Sequence, residues 1–221
     1  MNLDIEQLLP VIIVIAIMLL VGFPVHEFAH ALAAFRLGDG TAKLFGRLSL
    51  NPIVHFDPIG GSLLALSFLV SQGAFGFGWA KPTPVNPMNL QGGRRGEAIV
   101  AAAGPISNLV LAIAAAIPLR YLIANPDLLV QVGIFAQVLD LFVWINLVLM
   151  VFNLIPIPPL DGSKVLFAFL DRRTEYQIRP VLEQYGFIIL ILLFFFPPGN
   201  SIGGQVLLPI LDAAYGLLVG I

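Results

Sequence analysis

The sequence predicts an all-α integral membrane protein: a polytopic helical bundle with a re-entrant or hairpin segment and short membrane-associated strands. Three observations carry this. Of the 221 residues, 58% are hydrophobic and only 11% are charged, against about a quarter charged in an ordinary soluble domain. Mean hydropathy is +0.95, so there is too little polar surface to cover a water-soluble globule. The apolar residues also fall in long runs of membrane-crossing length, separated by segments rich in Pro, Gly and basic residues. Nothing in this composition points to a nucleic-acid partner; the partner it demands is the lipid bilayer.

In chain order, the N-terminus MNLDIEQLLP has no basic region, so it is unlike a cleaved signal peptide, and the first apolar segment is expected to be retained. That segment runs from about Leu8 to Leu37. As a helix it would reach about 45 Å, more than the ~30 Å hydrocarbon core, and Pro24 is the expected kink. Residues 38–58 are rich in turn formers and alternate locally, which predicts short strands or a loop. The Gly-rich apolar segment 59–80 could span or re-enter, and a Pro-rich extended stretch, KPTPVNP, comes after it. Two more apolar segments, Glu97 to Ile123 and Leu128 to Ile155, precede a charged run, Lys164 to Glu183. The last apolar pieces suggest a membrane hairpin over residues 185–221. No composition shift divides the chain, so residues 1–221 are expected to form one domain.

The basic residues orient this bundle. If the N-terminus is outside and segment 59–80 re-enters, ten of the eleven Lys and Arg residues face the cytoplasm, and Arg120 alone lies outside. The first and fourth apolar segments then run the same way. His26 and Asp161 come to similar depth, toward the cytoplasmic side.

The chemistry is concentrated in His26-Glu27-Phe28-Ala29-His30. An H-E-x-x-H pattern on a helix puts two imidazoles on one face, one turn apart, where both can bind one metal ion. Ionisable groups inside an apolar helix are costly unless compensated. Two of only three histidines in the chain fall in this motif. With no cysteine, any metal must be held by histidines and carboxylates, which suits zinc. Glu27 is placed to take a proton from an activated water and return it to a leaving amine. A zinc hydrolase site needs a third protein ligand. Asp161, in NLIPIPPLDG, is the candidate, with helix capping as the competing role. Asn153 could donate to an oxyanion or hold a substrate carbonyl, or could make only an interhelical contact. GPISN, Gly104 to Asn108, reads as close helix packing with a minor share in supporting the site. His55 and Asp57 could stand behind a ligand, though a loop histidine is more often structural. Glu97, Glu175 and Glu183 are the alternative third ligands. A membrane zinc-binding protein or metal transporter without peptidase activity is the other functional class. The scarcity of ionisable groups in the remaining segments argues against it.

Three motifs together resemble the site-2 proteases, the intramembrane zinc metalloproteases: HEFAH, GPISN and FNLIPIPPLDG, in that order. RLSLNPIVHFDPIG and GFGWAKPTPVNP look like the compact prokaryotic branch. The resemblance covers about Leu8 to Leu170. It implies a three-helix catalytic core, one Zn2+ held by His26, His30 and Asp161, Glu27 as the catalytic carboxylate, and Asn153 as a substrate or oxyanion contact. It also implies that the substrate is a transmembrane protein or peptide. The absence of a PDZ or CBS domain leaves substrate selection open, and the long connection between motifs suggests a sheet-like platform. An exposed strand edge at 44–50 or 76–86 is then expected to hold an extended substrate. The sequence leaves the oligomeric state open.

Overall fold

The computed structural model describes residues 5–70, 78–197 and 200–220. The described residues form helices and connecting turns, with no strand among them. They comprise α1 (Ile5–Ile17), a π-helical turn (Met18–Gly22), α2 (Phe23–Arg36), α3 (Thr41–Leu44), α4 (Pro52–His55), α5 (Pro58–Val70), a 3-10 turn (Pro87–Asn89), α6 (Arg94–Ile123), α7 (Pro126–Gln131), α8 (Gly133–Asn153), α9 (Gly162–Phe169), α10 (Arg172–Phe195) and α11 (Ile202–Val219). Among the described residues five stretches are long and apolar enough to cross a membrane: Leu9–Arg36, Arg94–Ile123, Gly133–Asn153, Arg172–Phe195 and Ile202–Val219.

The first passage does not break at Pro24. The helix widens one turn earlier, where the Phe23 N–H reaches back to the Met18 carbonyl. Pro24 then sits in the first turn of α2, where its missing N–H costs little. Such wide turns bend helices and re-aim the next turns of the chain; in this chain those turns carry the HEFAH face.

Three helices make the bundle. Val14 of α1 and Met18 of the π-helical turn pack with Val138 of α8, and the Asn146 amide approaches the Met18 sulfur at 3.6 Å. Later residues of α1 thus meet later residues of α8, and the two helices run the same way, as the charge pattern requires. α6 runs against both. Ala112, Ala115, Ala116 and Leu119 of α6 pack on Val143 and Leu147 of α8. Small residues on α6 let these backbones come close, which is how helices associate in lipid.

Two expectations need correction. Residues 44–50 end α3 and continue as turns and bends, and 78–86 are extended but unpaired in any ladder. Prolines at 82, 84 and 87 remove the donors a strand would need. The described part of segment 59–80 is the helix α5 and the extended residues 78–80, where Gly78 and Trp79 lie against Gly60 and Leu64 near the start of α5; residues 71–77, which join the two, lie outside the described residues.

The C-terminal helices, expected as a hairpin over residues 185–221, are placed by a few contacts. Arg94 at the start of α6 bonds Glu175 and the Leu170 carbonyl, beside the start of α10. Gly220, just past α11, lies against Arg120 near the other end of α6. The 26 helical steps from Arg94 to Arg120 span about 39 Å. α10 and α11 meet where Phe194 packs on Phe152 and on Gly203. They therefore run in series along the bundle rather than side by side. Gly186 and Phe194 hold α10 against the 152–158 region, so α10 crosses the site end of the bundle obliquely.

Candidate metal centre

α2 presents His26 and His30 one turn apart toward α6. Their rings stand edge to face, 4.7 Å between centroids and 81° between planes. The outer nitrogen of each ring is fixed from α6. His30 Nδ1 bonds the Val100 carbonyl at 2.7 Å, and His26 Nδ1 bonds Asn108 Oδ1 at 2.8 Å. A carbonyl can only accept, so His30 carries its proton on Nδ1, and its neutral Nε2 turns a lone pair inward. With Asn108 Oδ1 accepting, the same holds for His26.

Asp161 closes the cluster. α8 ends at Asn153, and the proline-rich turn 154–160 folds back on itself before α9. Gly162 makes that fold possible, since a Cβ there would lie 2.2 Å from the Leu154 carbonyl oxygen. Asp161 stands at the position before α9, yet its side chain makes no capping bond. The competing capping role is thereby set aside. Its Oδ2 instead lies 3.4 Å from His26 Nε2 and 3.2 Å from His30 Nε2.

The two Nε2 atoms are 3.1 Å apart. Three ligand-type atoms thus form a nearly equilateral triangle with edges of 3.1, 3.4 and 3.2 Å. Tetrahedral bonding to zinc at 2.0–2.1 Å requires ligand separations of about 3.3–3.4 Å. Lone pairs converging this closely repel one another unless a cation faces them. His26, His30 and Asp161 are buried or nearly so, and among the described residues they are the one such cluster. The donor set, its spacing and its burial all fit zinc.

Gly104 is the floor of this arrangement. A Cβ on it would lie 2.3 Å from His30 Nε2 and 2.6 Å from His26 Nε2. GPISN is therefore more than packing: Gly104 admits the two Nε2 atoms and Asn108 orients one ring. Its glycine and asparagine four residues apart were the available signal, but only the facing of α6 to α2 gives it meaning.

The other candidates divide. Glu27 is half-buried beside the cluster, its Oε2 accepting from the Thr83 N–H at 2.7 Å. Asn153 Nδ2 donates to the Leu149 carbonyl of its own helix at 2.9 Å and makes no hydrogen bond to the cluster. His55 donates from Nε2 to the Ser49 carbonyl at 2.7 Å, a structural role. Asp57 caps α5 through the Ile59 and Gly60 N–H groups, both at 2.8 Å. Glu97, Glu175 and Glu183 all pair with Arg179, away from the histidines.

Comparison with known proteins places the chain. The model of peptidase family M50 matches residues 121–195, which include Asp161 but not the histidines. A Bacillus subtilis protein named "Putative zinc metalloprotease YwhC" is 40% identical over 203 residues, covering 90% of this chain and 86% of its own length. This chain belongs to peptidase family M50. Another relative is "Putative zinc metalloprotease Rip2" of Mycolicibacterium smegmatis, 32% identical over 176 residues, 79% of this chain and 64% of that protein. Rip2 of Mycobacterium tuberculosis is 30% identical over 182 residues, 82% of this chain and 66% of its own length. The chain thus spans about two thirds of the Rip2 proteins. No solved structure matches it. M50 membership agrees with the site-2 protease resemblance and makes the chain a membrane-embedded metalloprotease.

Proposed function

We propose that this M50 peptidase hydrolyses peptide bonds in or near transmembrane segments, with zinc held by His26, His30 and Asp161 and with Glu27 as general base. One observation carries the reading. The triangle of two imidazole nitrogens and one carboxylate oxygen, with 3.1–3.4 Å edges, is built on a membrane helix beside a carboxylate. When bound, zinc polarises the scissile carbonyl and makes water acidic enough to be deprotonated near neutral pH.

The chain's own groups do the rest. The Val100 carbonyl and Asn108 fix both imidazoles so that their inner lone pairs converge. Glu27 takes the proton of the attacking water and passes it to the leaving amine. A helical substrate hides its carbonyls, so the bound segment must extend locally before attack. Asn153 serves that segment only if its amide leaves Leu149. The edge 78–86 is a poor docking strand, because the Lys81 N–H already bonds the His55 carbonyl at 2.8 Å, the Thr83 N–H bonds Glu27, and Pro82 and Pro84 have no N–H.

The site end of the bundle carries the basic residues, including Arg36, Lys43, Arg94, Arg95, Lys164, Arg172 and Arg179, while Arg120 lies at the far end. The positive-inside rule supports a cytoplasmic position for that end. Arg36 is six residues beyond His30, so the site lies about 9 Å from that boundary.

The test is metal content and cleavage in detergent. Wild type is expected to hold one zinc per chain, and His26→Ala and Asp161→Ala to lose it. Glu97→Ala should keep it, and Glu27→Gln should keep zinc while losing cleavage. Full zinc in Asp161→Ala, or undiminished cleavage by Glu27→Gln, would overturn the assignment.

A further inference from the structure

The Pro-rich segment 78–86 is pinned across the site at three points. The Lys81 N–H bonds the His55 carbonyl at 2.8 Å. The Thr83 N–H bonds Glu27 Oε2 at 2.7 Å, and the Thr83 hydroxyl donates to the Glu27 main-chain carbonyl at 3.0 Å. The Asn86 N–H bonds Asp39 Oδ2 at 2.7 Å. Asp39 is itself fully buried and held by Thr41 and Asn89. The segment therefore crosses from α4 over α2 to the turn after α2, with its middle residue meeting a single partner twice.

We propose that Thr83 is a positioning residue for the catalytic carboxylate, an inference that rests on the reading of Glu27 as general base. A glutamate carboxylate turns freely about its last torsion. One main-chain N–H on Oε2 stops that turning and leaves Oε1 to receive the proton. A charge-assisted bond of this length is among the stronger ones available. Supplying it from the main chain has a further effect. Pro82 and Pro84 narrow the backbone on either side, and the anchors at Lys81 and Asn86 fix the ends, so the donor cannot swing away with a rotamer. The hydroxyl, by contrast, reaches only the helix backbone and sets the register of the strap.

The arrangement separates donor from side chain, and the test uses that. Thr83→Ala keeps the N–H and loses the hydroxyl; Thr83→Pro removes the N–H. Cleavage is followed on a detergent-solubilised transmembrane peptide whose wild-type cut has been located by mass spectrometry, with zinc content measured in parallel. Thr83→Ala is expected within about threefold of wild type. Thr83→Pro is expected to lose about tenfold to a hundredfold in kcat with KM and zinc unchanged, the scale of a misplaced catalytic group. Unchanged or increased kcat in Thr83→Pro, or a loss confined to KM, overturns the proposal. Hydrogen exchange supplies a readout that does not depend on turnover. Pro82 and Pro84 have no amide hydrogen, so Thr83 exchanges as an isolated site. Its exchange should accelerate at least tenfold in Glu27→Ala, and an unchanged rate overturns the proposal even if Thr83→Pro fails to fold. Cleavage by Glu27→Gln would remove the underlying reading as well. An inactive Glu27→Gln beside a fully active Thr83→Pro would remove the positioning role alone.

Discussion

Replacing Gly104 with alanine adds one methyl group, and its surroundings fix where that group goes. The new Cβ would lie 2.3 Å from His30 Nε2 and 2.6 Å from His26 Nε2. Ordinary contact begins at 3.4 Å, so His30 Nε2 must retreat by about 1.1 Å. The ring cannot turn aside without giving up its 2.7 Å bond to the Val100 carbonyl, and moving α6 outward breaks the same bond. Metal sites hold ligand distances to about 0.2 Å, and misplacement by about 1 Å costs on the order of a hundredfold in catalysis. Zinc per chain, measured by inductively coupled plasma mass spectrometry, should fall below about a tenth of the wild-type value, with cleavage down about a hundredfold or more. Alanine itself favours α6 by about 1 kcal/mol over glycine, so helix propensity cannot explain a loss. Gly133→Ala is the control, because a Cβ there meets nothing; it should keep both zinc and activity. A Gly104→Ala protein with one zinc and near wild-type cleavage would refute the placement of α6 against the histidines.

The same geometry sets three further expectations. Asn108→Leu removes the acceptor on His26 Nδ1 and should weaken zinc binding about tenfold to a hundredfold, read by competition with a chelator. Asp39 is fully buried, with bonds from Thr41, Asn86 and Asn89, so Asp39→Ala should cost about 2–4 kcal/mol in thermal or denaturant unfolding. Burial would raise the Asp39 carboxyl, but the Thr41 hydroxyl, the Asn86 amide and the Asn89 side chain together hold it below its ordinary value. Its contribution is therefore complete above the unfolded pKa of about 3.9 and fades as pH falls through the lowered folded value. The Tm gap between wild type and Asp39→Asn should be constant above about pH 5 and close below about pH 4; a gap that widens in acid would contradict the assignment. Arg179→Ala removes the cation that Glu97 and Glu183 share and leaves Glu175 with Arg94 alone. At this half-exposed position it should lower stability by about 1 kcal/mol and leave zinc content unchanged.

The three residues of the candidate cluster were legible in the sequence, the histidines by their local spacing and Asp161 with the help of the family resemblance. His26 and His30 are one helical turn apart, and Asp161 comes after prolines that must end a helix. The common direction of α1 and α8 was legible from charge placement, since the membrane sorts basic residues by side. The supports were less legible. Val100 contributes a carbonyl, which no residue type announces, and Gly104 acquires its role only from the ring that faces it. The expected strands did not form because the local alternation at 44–50 fits a turn as well as a strand, and because Pro82 and Pro84 leave 78–86 extended with too few free N–H groups even for a sheet edge. Apolar length alone does not say how α10 and α11 meet. Gly186 against the Pro158 carbonyl draws α10 across the end of the bundle, and nothing in its composition signals that.

The serial arrangement of α10 and α11 has a consequence for parity. α1 with α2, α6 and α8 pass through the bundle in alternating directions, and α10 with α11 together complete a fourth passage. Val14 packs with Val138 near the start of α8, so Ile5 lies toward the same end of the bundle as Gly220, which touches Arg120. An even number of passages returns residue 220 to the compartment where residue 5 began. A reporter fused after residue 220 and an epitope placed before residue 5 should therefore be reached by the same membrane-impermeant reagent, and both should be shielded from the side on which the peptide bond is cut.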